Sequence, residues 1–276
     1  MAIQALLRHR SGMAGLIIII SLAVLALLAP VIAPYDPLEM RAPDRFQPPS
    51  STYFFGTDEF GRDIFSRILY GTRIAFSVGV ISIGIATVVG VATGLVAGYA
   101  GGTFDTIIMR LFDTLLAFPV ILLAIVILAM LGPGSLNAIL AVAIVNIPAF
   151  ARLTRANVLV EKNKEYVEAT RSVGAKPPRI VFRTIFPNTV STILVQITVA
   201  LASAVLLESA LSFLGLGTPL PAPSWGSMLS VGRGYLAFAP WYGIFPGLAI
   251  TLMVMGFYLL GDGLRDALDP RRQKLI

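Results

Sequence analysis

Long apolar stretches alternate along the chain with shorter polar ones, and the stretches predict the architecture. Residues 12–33, 74–98, 111–131, 136–153, 190–213 and 241–260 are dominated by aliphatic and small side chains. Each runs for roughly the twenty residues that carry an α-helix across a hydrocarbon core about 30 Å thick. Runs such as Ile17-Ile18-Ile19-Ile20 are continuous, whereas barrel strands alternate apolar and polar positions. The pattern predicts an all-α, polytopic membrane protein with six transmembrane helices.

Composition supports this reading: 56% of the 276 residues are hydrophobic and 13% charged, too few charges to clothe a soluble domain, where about 25% is usual. The first stretch follows Arg8-His9-Arg10 and exceeds the 7 to 15 apolar residues of a cleaved signal core. Pro34 also follows its small-residue end, so residues 1–33 read as an N-terminal tail and an uncleaved first span. Cysteine is absent, which removes disulfides, thiolate nucleophiles and cysteine metal sites.

The net charge of +6 and pI near 9.8 could suggest nucleic acid, but the distribution argues for membrane orientation instead. With the N-terminus inside, fifteen of the 21 basic residues fall on the cytoplasmic side. Arg41, Arg45, Arg62, Arg67, Arg73 and Arg233 fall outside, mostly offset by Asp36, Glu39, Asp44, Asp58, Glu59 and Asp63. The positive-inside rule then predicts both termini in the cytoplasm.

Residues 34–72 form the first excursion. Pro34, Pro37, Pro43, Pro48 and Pro49 disfavour regular structure up to residue 56. Over 57–70, Thr57 offers a cap, Asp58 and Glu59 fill a first turn, Phe60, Ile64, Ile68 and Leu69 recur at helical spacing, and Gly71 suits a stop. An amphipathic helix at the outer interface is expected, compatible with simple burial against neighbouring spans.

Within the spans, Gly90, Gly94 and Gly98 stand four residues apart and would let another helix approach closely. Pro119 and Pro148 would kink the third and fourth spans. Acids at membrane depth are costly and often functional. Asp113 could pair with Arg110 one turn away. Glu208, toward the outer end of the fifth span, reads either as a hydrogen-bonding or pairing group or, with Phe213, as a gate or pathway residue.

The segment between the fourth and fifth spans, 155–187, is the longest cytoplasmic loop and the most basic. Residues 161–173 are good helix formers, Gly174 supplies a left-handed stop, and Pro177-Pro178 prepares a second short helix through Phe182. Pro187-Asn188 would turn the chain back into the membrane. Such a knob fits a partner's groove. Glu168-Ala169-Thr170, then Gly174, then Thr184-Ile185-Phe186-Pro187 resembles the EAA motif of ATP-binding-cassette (ABC) importer permeases, with Thr170, Thr184 and Phe186 departing from its usual residues.

Gly56-Thr57-Asp58-Glu59-Phe60-Gly61-Arg62-Asp63, Ser66-Arg67, Leu211-Ser212-Phe213-Leu214-Gly215-Leu216-Gly217, Trp225-Gly226 and Gly261-Asp262-Gly263-Leu264-Arg265-Asp266-Ala267-Leu268-Asp269-Pro270 resemble the second permease of dipeptide, oligopeptide and nickel importers. The resemblance covers nearly the whole chain. It implies the type I importer permease fold over 73–262, a cytoplasmic tail over 263–276, and docking on an ATPase through Glu165, Glu168, Ala169, Gly174 and Pro187. It implies as partners a second homologous permease, two ATPases and an extracytoplasmic peptide-binding protein, besides the lipid bilayer.

No Gly-Lys dipeptide occurs, so the phosphate loop of a nucleotide-binding motor is missing. ATP and Mg are therefore expected on partner subunits, with no cofactor or metal on this chain. The lone histidine, His9, and the lack of zinc spacing or a nucleophile elbow argue against an enzyme. The expected function is half of an ATP-driven translocation pathway for di- or oligopeptides. The alternatives are an ABC permease for nickel or another small solute and, in a different class, a proton-coupled carrier.

Overall fold

The computed structural model describes residues 9–268; the segments 1–8 and 269–276, with Arg8, Arg271, Arg272 and Lys274, lie outside the described residues. Nine helices are used below. Helix α1 is Arg10–Ile32, α2 Ile64–Ala100, α3 Gly102–Leu116, α4 Val120–Leu131 and α5 Ser135–Glu161. Helix α6 is Glu165–Ser172, α7 Pro177–Phe213, α8 Trp225–Gly232 and α9 Trp241–Leu268.

Five helices, α1, α2, α5, α7 and α9, are long and apolar enough to cross a membrane. The run expected as the third span is instead two helices, α3 and α4, that meet at 95°. Pro119 explains the break: its ring disfavours helical backbone at Phe118, and Pro119 itself is extended (ψ 129°) and starts α4.

The packing of α2 on α5 shows what this bent pair accomplishes. Gly90 faces Ile147 and Phe150, Gly94 faces Ala151 and Thr154, and Gly98 faces Val158, so the two helices run parallel. A chain that leaves α2 at one end and enters α5 at the other must return across the bilayer, and only α3 and α4 lie between them. Six crossings follow, the third of them bent.

The α2/α5 seam is built on missing side chains. A Cβ on Gly90, Gly94 or Gly98 would lie 2.6 Å from Phe150 Cβ, 2.5 Å from the Ala151 carbonyl and 2.9 Å from Val158 Cβ respectively. Between membrane helices, where apolar surface meets apolar lipid in any case, such close backbone approach is what makes packing favourable. Helices α1 and α9 cross through a similar pair, Gly15 and Gly256.

Two further expectations are corrected. Residues 57–63 are a turn, not the start of an amphipathic helix: Thr57 and Asp63 form an isolated bridge, Gly61 has φ +75°, and the Asp58 carboxylate accepts the N–H groups of Phe60 and Arg62 at 2.9 Å. Asp63, not Thr57, caps α2 by accepting from Ser66 N–H at 2.8 Å. Helix α2 then passes through Gly71 without stopping. That glycine makes room for Trp225, whose ring would lie 2.7 Å from a Cβ there.

Nor does the chain turn at Pro187. Helix α7 begins at Pro177, runs through a π-helical segment, Ile180–Ile185, and continues unbroken to Phe213. The wider π turn lets Phe186 N–H reach the Val181 carbonyl, which accommodates the proline's ring and missing donor in the next turn. The expected second short helix is the first turn of this span.

Candidate functional site

One end of the bundle carries the knob of residues 162–176; the opposite end carries the loops 33–63 and 214–240. At the knob end, α5 extends beyond the bilayer-length run to Glu161, and the chain turns through Lys162–Lys164 into α6. Helix α6 lays a single buried side chain, Val167, into an apolar cluster with Val91, Leu95, Val158, Ile180 and Ile185. Its remaining residues face outward. Glu165, Glu168 and Ala169 are exposed, as are Gly174 and Pro187. Gly174 has φ +79° with nothing within 4 Å of a built Cβ, so it is required by backbone conformation alone.

The knob is bolted to two spans. The Tyr166 hydroxyl donates to the Glu161 carboxylate at the end of α5 and accepts from Asn188 Nδ2 of α7 at 3.2 Å. Glu161 also pairs with Lys164 at 2.7 Å. Burial and the neighbouring Glu161 carboxylate push the Tyr166 phenol up to about 12, so the hydroxyl keeps its proton at any physiological pH. Val173 and Phe182 present apolar surface beside the turn, 83% and 61% exposed. Sequence reading did not single out Tyr166, Val167, Val173 or Phe182; the signal was an apolar or aromatic residue recurring inside an otherwise charged loop.

Two ion pairs tie α3 to α5 near this end. Arg155 grips Asp105 with two hydrogen bonds of 2.5 and 2.6 Å. Asp113 pairs with Arg152 at 2.5 Å, not with Arg110 on its own helix, because the bend after Leu116 lays α3 against α5. Lys162 donates to the Gly98 carbonyl at 2.9 Å, fastening the base of the knob to the glycine seam.

At the opposite end lies a buried ionic cluster drawn from the turn before α2 and from the first turn of α2 itself. Arg62 bonds Asp58 at 2.6 Å and Glu59 at 3.2 Å; Arg67 stands 3.6 Å from Asp58 and donates to the Pro37 carbonyl at 2.9 Å. All four side chains, and Asp63, are buried. Taking this many charges out of water is tolerated only where they pair. Asp63 departs upward from the ordinary aspartate range because burial outweighs its hydrogen bonds with Ser66.

Glu208 is 2% exposed and accepts a hydrogen bond from Ser212 Oγ at 2.7 Å, while that oxygen accepts from Thr218 N–H at 3.2 Å. The arrangement fastens the loop after α7 to the helix. Phe213 is half-buried, under the Arg233 guanidinium at 5.0 Å from its ring centre, and borders a cavity of about 320 Å³ with Leu229, Leu236 and Ile244. Glu208 and Phe213 therefore belong to the loop end, some distance in the chain from the coupling residues, and the structure brings neither into the knob. Among the described residues no group of three or more His, Cys, Asp or Glu side chains could hold a metal ion.

The sequence is similar to known proteins. Residues 90–274 match the family described as binding-protein-dependent transport system inner membrane component, and residues 1–49 match the N-terminal TM domain of oligopeptide transport permease C. A dipeptide transport system permease protein, DppC, of Alkalihalophilus pseudofirmus is 46% identical over 98% of this chain and 89% of its own length. A di/tripeptide transport system permease protein of Pseudomonas aeruginosa is 43% identical over 97% and 90%. A glutathione transport system permease protein, GsiD, of Pectobacterium atrosepticum is 48% identical over 96% and 88%. With apolar spans, no phosphate loop and this match across the chain, the protein belongs to the binding-protein-dependent transport inner membrane components: a multi-pass permease subunit of an ABC importer, whose ATPase is a separate subunit.

Proposed function

We propose that this chain forms one half of the translocation pathway for di- or oligopeptides, with both termini in the cytoplasm, and that residues 162–176 receive the force of ATP hydrolysis from a partner. The single observation that carries this is the knob. It is exposed over Glu165, Glu168, Ala169 and Gly174, yet joined to α5 and α7 through Val167 and Tyr166. A surface that a partner can grip, rigidly fixed to two spans, transmits displacement rather than absorbing it.

The mechanism follows from this rigidity. ATP and Mg are held on two ATPase subunits, and a second, homologous permease completes the pathway. When the ATPases close, they move the knobs, and α5 and α7 tilt as levers about the α2/α5 seam, switching the cavity between inward-facing and outward-facing states. An extracytoplasmic peptide-binding protein delivers substrate to the loop end. Peptide is supported over nickel by the relatives, which are described for dipeptides, di- and tripeptides and glutathione, itself a tripeptide.

The test is reconstitution. In liposomes, the chain with its partner permease, ATPases and binding protein should take up dipeptide only with internal ATP. Uptake by this chain alone, driven by a proton gradient, would establish the carrier reading instead.

A further inference from the structure

The last turn of α9 carries a cation that the fold leaves unspent. Arg265 lines a cavity of about 390 Å³ at the knob end, on the face of α7 between α5 and α9. Ser191, Val195 and Gln196 of α7, Leu153 of α5 and Leu268 of α9 line it as well. Position along the helices sets the depth. Leu153 closes the apolar run 136–153 and Ser191 opens the run 190–213, so both mark the knob-side boundary of the hydrocarbon. At 1.5 Å per residue, Arg265 lies about 7.5 Å outside that boundary, past the end of the run 241–260, and Gln196 lies about 7.5 Å deeper than Ser191. The cavity therefore runs from headgroup level into the start of the acyl region.

Three donors in this wall have no partner among the described residues: the Arg265 guanidinium, the Gln196 amide and the Ser191 hydroxyl. Thr192, beside them, is already engaged, since its hydroxyl donates to the Thr189 carbonyl at 2.8 Å and accepts from Asn157 Nδ2 at 2.6 Å. Nor do the described acids nearest Arg265 in the chain neutralise it. Asp266 is held by His9 at 2.8 Å, and Asp262, one turn back and exposed, makes no ion pair with it. No described residue of the wall is acidic. A guanidinium keeps its charge at every physiological pH, and an unpaired one between membrane helices at headgroup level attracts an anion. With no carboxylate beside it, nothing in the described wall would hold the ammonium of a zwitterionic headgroup. A soluble anion would answer Arg265 and Ser191 but leave the Gln196 amide, deeper and flanked by Val195 and Leu153, without an acceptor. A phospholipid answers both levels, with its phosphate outside and its ester carbonyls below.

We propose that this cavity is a binding site for an anionic phospholipid of the leaflet at the knob end. Its phosphate is held by Arg265 and Ser191, an ester carbonyl accepts from the Gln196 amide, and the acyl chain sets out along Val195 and Leu153. The inference rests on the importer reading only for that leaflet's being the cytoplasmic one.

The test uses the assembled transporter in phosphatidylcholine nanodiscs doped with a trace of phosphatidylglycerol, or of phosphatidylcholine, carrying a diazirine on the acyl chain. After illumination, the cross-linked fragments are mapped by mass spectrometry. Phosphatidylglycerol should label the segments around Leu153 and Val195 about fivefold more than phosphatidylcholine, the worth of one basic residue at an anionic surface. Arg265→Gln should remove this excess. So should Val195→Trp, which fills the cavity and leaves Arg265 in place. Arg265 is exposed and unpaired, so where Val195→Trp does not assemble, Arg265→Gln decides. Equal labelling by the two lipids, or an excess that survives Arg265→Gln, would overturn the site. Loss of the excess on adding inorganic phosphate or Ala-Ala, at matched ionic strength, would assign the donors to a soluble oxyanion and overturn the lipid. ATP-driven uptake measured on the same preparation is a separate readout: absence of the excess with uptake intact sinks this inference alone, and absence of uptake with the excess intact sinks the importer reading alone.

Discussion

Replacing Gly94 with alanine adds one methyl group to α2, and the structure says where it goes. The new Cβ would sit 2.5 Å from the Ala151 carbonyl oxygen and 2.8 Å from Thr154 Cβ, where ordinary contact begins at 3.4 Å. Since Ala151 O belongs to the backbone of α5, no side chain can swing aside, and the two helices must separate by about 0.9 Å over this stretch. Overpacking of this kind costs about 1–3 kcal/mol. Alanine returns about 1 kcal/mol through its better helix propensity. Gly84, on the same helix, is the control: it is exposed, with nothing within 4 Å of a built Cβ, so Gly84→Ala receives the propensity gain without the clash. The two variants should differ by about 1–3 kcal/mol in reversible unfolding in mixed micelles, with Gly94→Ala the weaker. Equal stability, or a more stable Gly94→Ala, would refute the claim that backbone approach holds this seam.

Other consequences concern the knob end. The Asp105–Arg155 pair is doubly bonded and mostly buried, whereas Asp113 and Arg152 are each about half exposed; a double-mutant cycle should find the first coupling larger, with the second under about 1 kcal/mol. Comparable couplings would show that burial is not what distinguishes them. For Tyr166, folding raises the phenol's pKa, so the neutral form that donates to Glu161 is retained below the ordinary value near 10 and lost only as pH rises through about 12. An ultraviolet difference titration against Tyr166→Phe should show this late midpoint, moved down by Glu161→Gln; a midpoint at the ordinary value would remove the bolt from the account.

How far the sequence foretold the structure depended on what kind of force set each feature. The long apolar runs marked the crossings because hydrocarbon thickness is a one-dimensional constraint, readable by counting. The kink at Pro119 was legible, but its size, 95° between α3 and α4, was not, since the residues immediately flanking Pro119 are apolar on both sides and the angle is set by how α3 and α4 pack on α5. Pro187 misled for a related reason: the π segment that absorbs it depends on the burial of Ile180 and Ile185 against α2 and α5, a tertiary fact. The turn over residues 57–63 misled because Thr57, Asp58, Glu59 and Phe60 are the residue types of a helix start, while here Asp58, Glu59, Arg62 and Arg67 pair with one another, are buried together and hold the segment as a turn. The knob was legible as a helix, a glycine turn and a helix; its attachment through Val167 and Tyr166 was not, because anchoring is a property of the surface it meets.

The central claim, that the knob transmits work from a partner ATPase, is tested most directly at Gly174. Its φ of +79° is strained for any side chain and most for a β-branched one, and open space around it leaves backbone conformation as the only thing perturbed. Gly174→Val in the reconstituted importer should therefore insert and assemble normally, retain ATP hydrolysis, and lose peptide uptake per ATP consumed. Uptake per ATP equal to that of the unaltered protein would contradict the account.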